Sequence, residues 1–100
     1  VVKPLPVDAR TRELARRLVW FEPAEKALAD PVRFLAYAFR HARSQDMAIL
    51  REHLGDDDMR DALRHAPPGI IDPRSWAYWH LMLDLGPPPP LPTRALARSP

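Results

Sequence analysis

The sequence predicts an all-α protein, a compact single domain of four or five short helices that ends in a proline-rich extended C-terminal tail. Three observations lead there. Apolar residues recur at helical spacing, with Val32, Leu35, Ala36 and Phe39 at i, i+3, i+4 and i+7, and no stretch alternates with period two for long enough to make a strand. Aspartate stands directly before proline at Asp30-Pro31 and Asp72-Pro73. That pair joins a capping side chain to a residue whose missing N–H has no partner to lose in the first helical turn. Gly86 and Pro87, Pro88, Pro89 and Pro90 close the last apolar run, since proline lacks an amide hydrogen and clashes with the preceding turn. At 100 residues and 46% hydrophobic, the chain fits one domain with an ordinary core. It has no cysteine, which excludes disulfides, thiolate chemistry and cysteine-based zinc sites.

The elements follow in order. Pro4 and Pro6 keep residues 1–7 as an extended arm, because each proline biases its predecessor away from helical dihedrals. The helical domain, residues 8–86, opens where Asp8 caps a helix bearing Leu14 and Leu18 among Arg10, Arg12, Arg16 and Arg17; Trp20 and Phe21 end it. Glu22-Pro23 restarts the chain, and Ala24 to Leu28 makes at most a short helix. From Pro31, Phe34 and Ala38 widen the apolar stripe so far that this helix is expected at the centre, covered on more than one side. Ser44 or Gln45 opens the next, with Met47, Leu50 and Leu54 on one face and Gly55 expected to end it in the left-handed conformation.

Asp56, Asp57 and Asp58 then supply acidic caps for a helix carrying Met59, Ala62, Leu63 and Ala66. Pro67, Pro68 and Gly69 make a loop from which Ile70 and Ile71 turn inward. The last helix places Trp76, Trp79, His80 and Leu83 on one face. Ala77, Leu81 and Met82 make its other side apolar as well, so it too is expected to be largely enclosed. Residues 87–100 form a proline-rich basic tail whose PPPPLP segment favours an extended polyproline II arm.

The residues offer little for catalysis. His41, His53 and His65 lie twelve apart near expected helix C-termini, where a positive imidazole complements the helix dipole. That spacing does not set two of them on one helical face, as a shared metal site built on one helix requires. The three aspartates lack the alternating ligands, glycine and distal glutamate of a calcium loop. With three glycines in all there is no phosphate-binding loop, and no serine or threonine sits in a nucleophile elbow. No cofactor, no metal and no enzymatic activity are expected.

Charge is uneven along the chain. Lys3, Arg10, Arg12, Arg16 and Arg17 outnumber Asp8 and Glu13 in residues 1–21, acids outnumber bases between residues 22 and 86, and residues 87–100 add only Arg94 and Arg98. A helix-turn-helix reading fails because the helix that would enter the groove begins with three aspartates, which meet phosphates with like charge. No apolar run reaches the roughly 20 residues needed to span a bilayer, and the start shows no targeting pattern. A soluble, unprocessed cytoplasmic protein is expected.

The segment from Leu18 to Leu83 resembles a group of small bacterial helical proteins of uncharacterised function. The resemblance rests on a tryptophan before a proline-started turn (Trp20 to Pro23), a short helix ending at glycine (Leu50 to Gly55), the MRDAL run (Met59 to Leu63) and a proline start ahead of a tryptophan-rich helix (Pro73 to Trp79). Members of the group are similar to proteins encoded beside abortive-infection nucleotidyltransferase genes, which implies an accessory or antitoxin role with a protein partner. No catalytic residues come with the resemblance, and it does not extend into residues 87–100. The expected function is a non-catalytic protein-interaction module. Its contact residues would be Pro87, Pro88, Pro89, Pro90 and Arg94 in the tail and Arg16 and Arg17 on the first helix. The alternative is nucleic-acid binding through that basic helix and Arg94 with Arg98.

Overall fold

A computed structural model describes residues 2–92. Its regular structure is helical throughout: α1 (Ala9–Leu18), α2 (Ala24–Leu28), α3 (Pro31–His41), α4 (Ser44–Arg51), α5 (Asp56–Arg64) and α6 (Pro73–Met82), with no strand among the described residues. The described residues form six helices because Ala24–Leu28 does fold, a short helix that buries Ala24, Ala27 and Leu28.

Side-chain caps start the helices where expected. Asp8 Oδ1 accepts from Thr11 N–H at 3.0 Å, and Thr11 Oγ1 accepts from Asp8 N–H in return, at 2.9 Å. Asp30 accepts from Arg33 N–H at 3.2 Å and Asp72 from Ser75 N–H at 3.3 Å, each just ahead of a proline at the first helical position. The hydrogen bond from Thr11 holds the Asp8 carboxyl below its ordinary range, and that from Ser75 does the same for Asp72.

α3 lies at the centre, against α1, α2, α5 and α6. Phe34, Leu35, Ala36 and Ala38 are wholly excluded from solvent there, among Leu14 and Ala15 of α1, Met59, Ala62 and Leu63 of α5, and Trp76. Ile70 and Ile71 turn into this core as expected. The segment ahead of α1 has neither helix nor strand, yet it is stitched down. Val2 and Leu5 are buried, and Lys3 N–H donates to Asp58 at 3.3 Å.

Three expectations are corrected. Gly55 is extended, with φ −89°, and not left-handed; it is the N-cap of α5, and its N–H donates to Asp58 Oδ2 at 3.0 Å. α4 ends instead by tightening, with His53 N–H and Leu54 N–H both turned onto the Leu50 carbonyl. Nor do Gly86 and the prolines stop α6. Asp84 does, in the left-handed conformation with φ 57°: its N–H meets the Leu81 carbonyl at 3.1 Å and Leu85 N–H meets the His80 carbonyl at 2.9 Å. This is the two-bond Schellman ending, with aspartate in the place glycine usually holds. Finally, α6 is not enclosed. Tyr78, Leu81 and Met82 face solvent, Leu81 at 76% of its full exposure.

Candidate functional site

The exposed side of α6 follows from its register. Trp76, His80 and Leu83 recur at i, i+4 and i+7 and point into the core, which turns Arg74, Tyr78 and Met82, at i, i+4 and i+8, outward along another stripe. Two indoles hold the helix in that orientation. Trp79 Nε1 donates to the Phe39 carbonyl at 2.9 Å, capping one of the carbonyls that the end of α3 leaves without an intrahelical partner, and its ring lies 5.2 Å from that of Phe39. Trp76 Nε1 donates to the Pro89 carbonyl at 2.7 Å, while the buried His80 ring packs edge-on against Trp76 at 4.3 Å and bonds the Trp76 carbonyl through Nδ1.

Across from the outward stripe lies α4. Ser44, Met47, Ala48 and Arg51 sit at i, i+3, i+4 and i+7 on its groove side; the last turn of α3 adds Arg40, and the link after it adds Ala42 and Arg43. Between the two stripes opens a groove of about 740 Å³ whose floor is aromatic and aliphatic, with Phe39, Met47, Trp79 and Met82 among its walls. Four arginines line it, Arg40, Arg43, Arg51 and Arg74, and no aspartate or glutamate does. Arg40 spends one N–H on the Ile70 carbonyl and Arg51 pairs with Asp56. Arg43 and Arg74 are exposed and form no ion pair among the described residues.

The contact residues expected from the sequence are placed elsewhere. Pro87, Pro88, Pro89 and Pro90 are exposed, and their segment is fastened at two points, by Trp76 to the Pro89 carbonyl and by Gly69 N–H to the Pro92 carbonyl at 3.4 Å. Arg94 and Arg98 lie outside the described residues. Most of the basic charge on α1 is spent internally. Arg10 makes two hydrogen bonds to Glu52, Arg12 pairs with Glu25 at 3.2 Å, and Arg17 sits 2.7 Å from the buried Asp46. That last contact is an ion pair without hydrogen-bond alignment at Asp46 Oδ1, and Asp46 Oδ2 takes the Arg43 backbone N–H at 3.1 Å. Of the four arginines, Arg16 alone has no ion pair among the described residues. No hydrogen bond or ion pair among the described residues joins α1 to the proline segment.

A second aromatic group lies on another part of the surface. Trp20 packs edge-on against Phe21 at 5.5 Å and His41 at 5.9 Å, and Phe21 against Tyr37 at 5.4 Å. Beside it Arg33 grips Glu22 through two hydrogen bonds of 2.7 and 3.0 Å, and that guanidinium holds the Glu22 carboxyl below its usual range. His65 Nδ1 bonds the Asp61 carbonyl at 2.9 Å, and no group of three or more His, Asp or Glu side chains among the described residues could hold a metal ion. No described helix is long and apolar enough to cross a membrane.

Comparison with protein-family models, curated proteins and solved structures finds no match to this chain. The class of protein is therefore defined by the geometry alone: an all-α domain with an open, apolar-floored, arginine-rimmed groove between two short helices.

The groove residues Arg43, Arg74, Tyr78 and Met82 were not among the contact residues expected from the sequence. A signal for three of them exists, because Arg74, Tyr78 and Met82 share a helical stripe that is readable in the sequence. Arg43 and the α4 wall join them only through the tertiary fold.

Proposed function

We propose that the chain is a non-catalytic helical protein-interaction module that docks its partner on the outward side of α6. One observation carries the reading: Tyr78, Leu81 and Met82, three large apolar side chains close together on one helix, are all at least half exposed. Single exposed apolar residues are ordinary, but a group of them on a fixed element bordering a groove is the usual form of a docking surface. The indole bonds of Trp76 and Trp79 support it further, because a surface that is already ordered loses less entropy on binding. The resemblance noted in the sequence supplies the partner class, a nucleotidyltransferase of the abortive-infection type toward which this chain acts as an accessory or antitoxin.

The test is reconstitution with the product of the adjacent gene. A complex at micromolar concentration that Leu81→Glu and Met82→Glu together weaken by about tenfold or more is the expected result. A complex indifferent to both substitutions, or no complex at that concentration, would overturn the reading.

A further inference from the structure

Resting on the α6 docking face just described, we propose that the groove between α4 and α6 receives an acidic amphipathic helix of the partner protein. Three features of the groove select that occupant. Its two walls present stripes at helical spacing, Ser44 to Arg51 on α4 and Arg74 to Met82 on α6, so a third helix laid between them meets side chains at matching intervals. Its floor offers Met47 and Met82 beside aromatic rings, and unbranched thioethers adapt to inserted apolar side chains. Its rim carries four arginines and no acid, with Arg43 and Arg74 free of ion pairs among the described residues. A helix with leucine or methionine on one face and glutamates flanking that face matches both the floor and the rim.

The described residues do not supply such a helix. α5 is its most acidic element, but Met59, Ala62 and Leu63 are buried in the core, while Asp56, Asp57 and Asp58 face Arg51, Arg60 and Lys3. A second copy therefore has no free acidic amphipathic face on α5 to offer. Residues 93–100 contain Arg94 and Arg98 and no acid, so their charge has the same sign as that of the rim. The occupant comes from another protein.

The test uses three fluorescein-labelled synthetic peptides of about 18 residues, roughly five helical turns. One carries leucines at i, i+3, i+4 and i+7 with flanking glutamates, the second replaces the glutamates by lysines, and the third replaces the leucines by serines. Anisotropy titration against the whole chain is expected to show binding of the first, and binding of the other two weaker by about tenfold or more. Arg43→Glu with Arg74→Glu is expected to reverse the preference between glutamate and lysine peptides. Both positions are exposed, and far-ultraviolet dichroism checks that the fold is kept.

Equal affinity for the glutamate and lysine peptides would overturn the acidic preference while leaving the α6 face as a docking surface. So would tighter binding of a labelled oligothymidylate than of the glutamate peptide, which would make the groove a single-strand site. Binding of the glutamate peptide that survives both Met82→Glu and the double arginine variant would place the occupant outside the groove. A complex with the neighbouring gene product that persists when the glutamate peptide fails would refute this inference alone.

Discussion

Helices α3 and α6 both open on an aspartate-proline pair and both carry aromatic and aliphatic residues around most of their circumference. Yet α3 buries Phe34, Leu35, Ala36, Ala38 and Phe39, whereas α6 buries only Trp76 and His80 along its length. Their sequences differ little in apolar content; their neighbours differ a great deal. α3 has helices on several sides, while α6 has α3 beneath it, the Ile70-Ile71 loop ahead of it and the proline segment tied to Trp76. On its outer side Tyr78, Leu81 and Met82 stay at least half exposed among the described residues. The comparison separates two uses of the same residue types: on α3 they are the interior, and on α6 half of them are a surface.

The largest expected effect lies on the α3 side of that contrast. Phe34 is wholly excluded from solvent in the middle of the central helix. Phe34→Ala removes most of a ring and leaves a cavity bounded by several helices, so it is expected to cost about 3–5 kcal/mol of folding stability. Urea denaturation followed by dichroism measures it. A loss below about 1 kcal/mol would mean that α3 is not the packed centre, and the contrast with α6 would collapse.

The joint between the two helices comes next. Trp79 joins α6 to the end of α3 through its indole N–H on the Phe39 carbonyl. Trp79→Phe keeps an aromatic ring against Phe39 but deletes the donor, and the expected cost is about 1 kcal/mol. For a domain of this size that lowers the melting midpoint by about 4–8 °C. An unchanged midpoint would show that ring packing alone fixes α6, and that its outward stripe is less firmly oriented than the geometry implies.

Much of this architecture was legible in the residues, and the misses have physical causes. Asp8, Asp30 and Asp72 announce their helices because a cap is a local interaction, settled within three residues. The central place of α3 could be read from Phe34 and Ala38, which widen its stripe beyond one face. The end of α6 could not, because four prolines signal a stop more strongly than Asp84, a non-glycine that the fold places in the left-handed region. Gly55 misled in the opposite sense: the residue permits a left-handed turn, but the Asp58 carboxylate three residues on holds it extended as a cap. The arginines show the same limit for the candidate site. Arg17 looked available until the fold brought the buried Asp46 to it from α4, and Arg43 looked ordinary until α6 came alongside. Local pattern determines which residues lie on one face, and only the tertiary arrangement determines what that face meets.

The smallest expected effect is the most discriminating, because it asks whether the outer side of α6 contributes to folding at all. Leu81 is 76% exposed and its neighbours on that face are exposed too, so little apolar area leaves water there when the chain folds. Leu81→Ser is therefore expected to change stability by no more than about 0.5 kcal/mol, as ordinary surface substitutions do. The chemically similar change at Leu83, two residues on and 1% exposed, places a hydroxyl in the core and should cost several times as much. Comparing the two serine variants by thermal unfolding keeps the chemical change the same and contrasts an exposed position with a buried one. Equal losses would mean that something in the chain covers α6 after all, and the apolar stripe would then be part of the core and unavailable to a partner. A near-neutral Leu81→Ser that nevertheless weakens the complex with the partner protein would separate the two roles within three residues of one another.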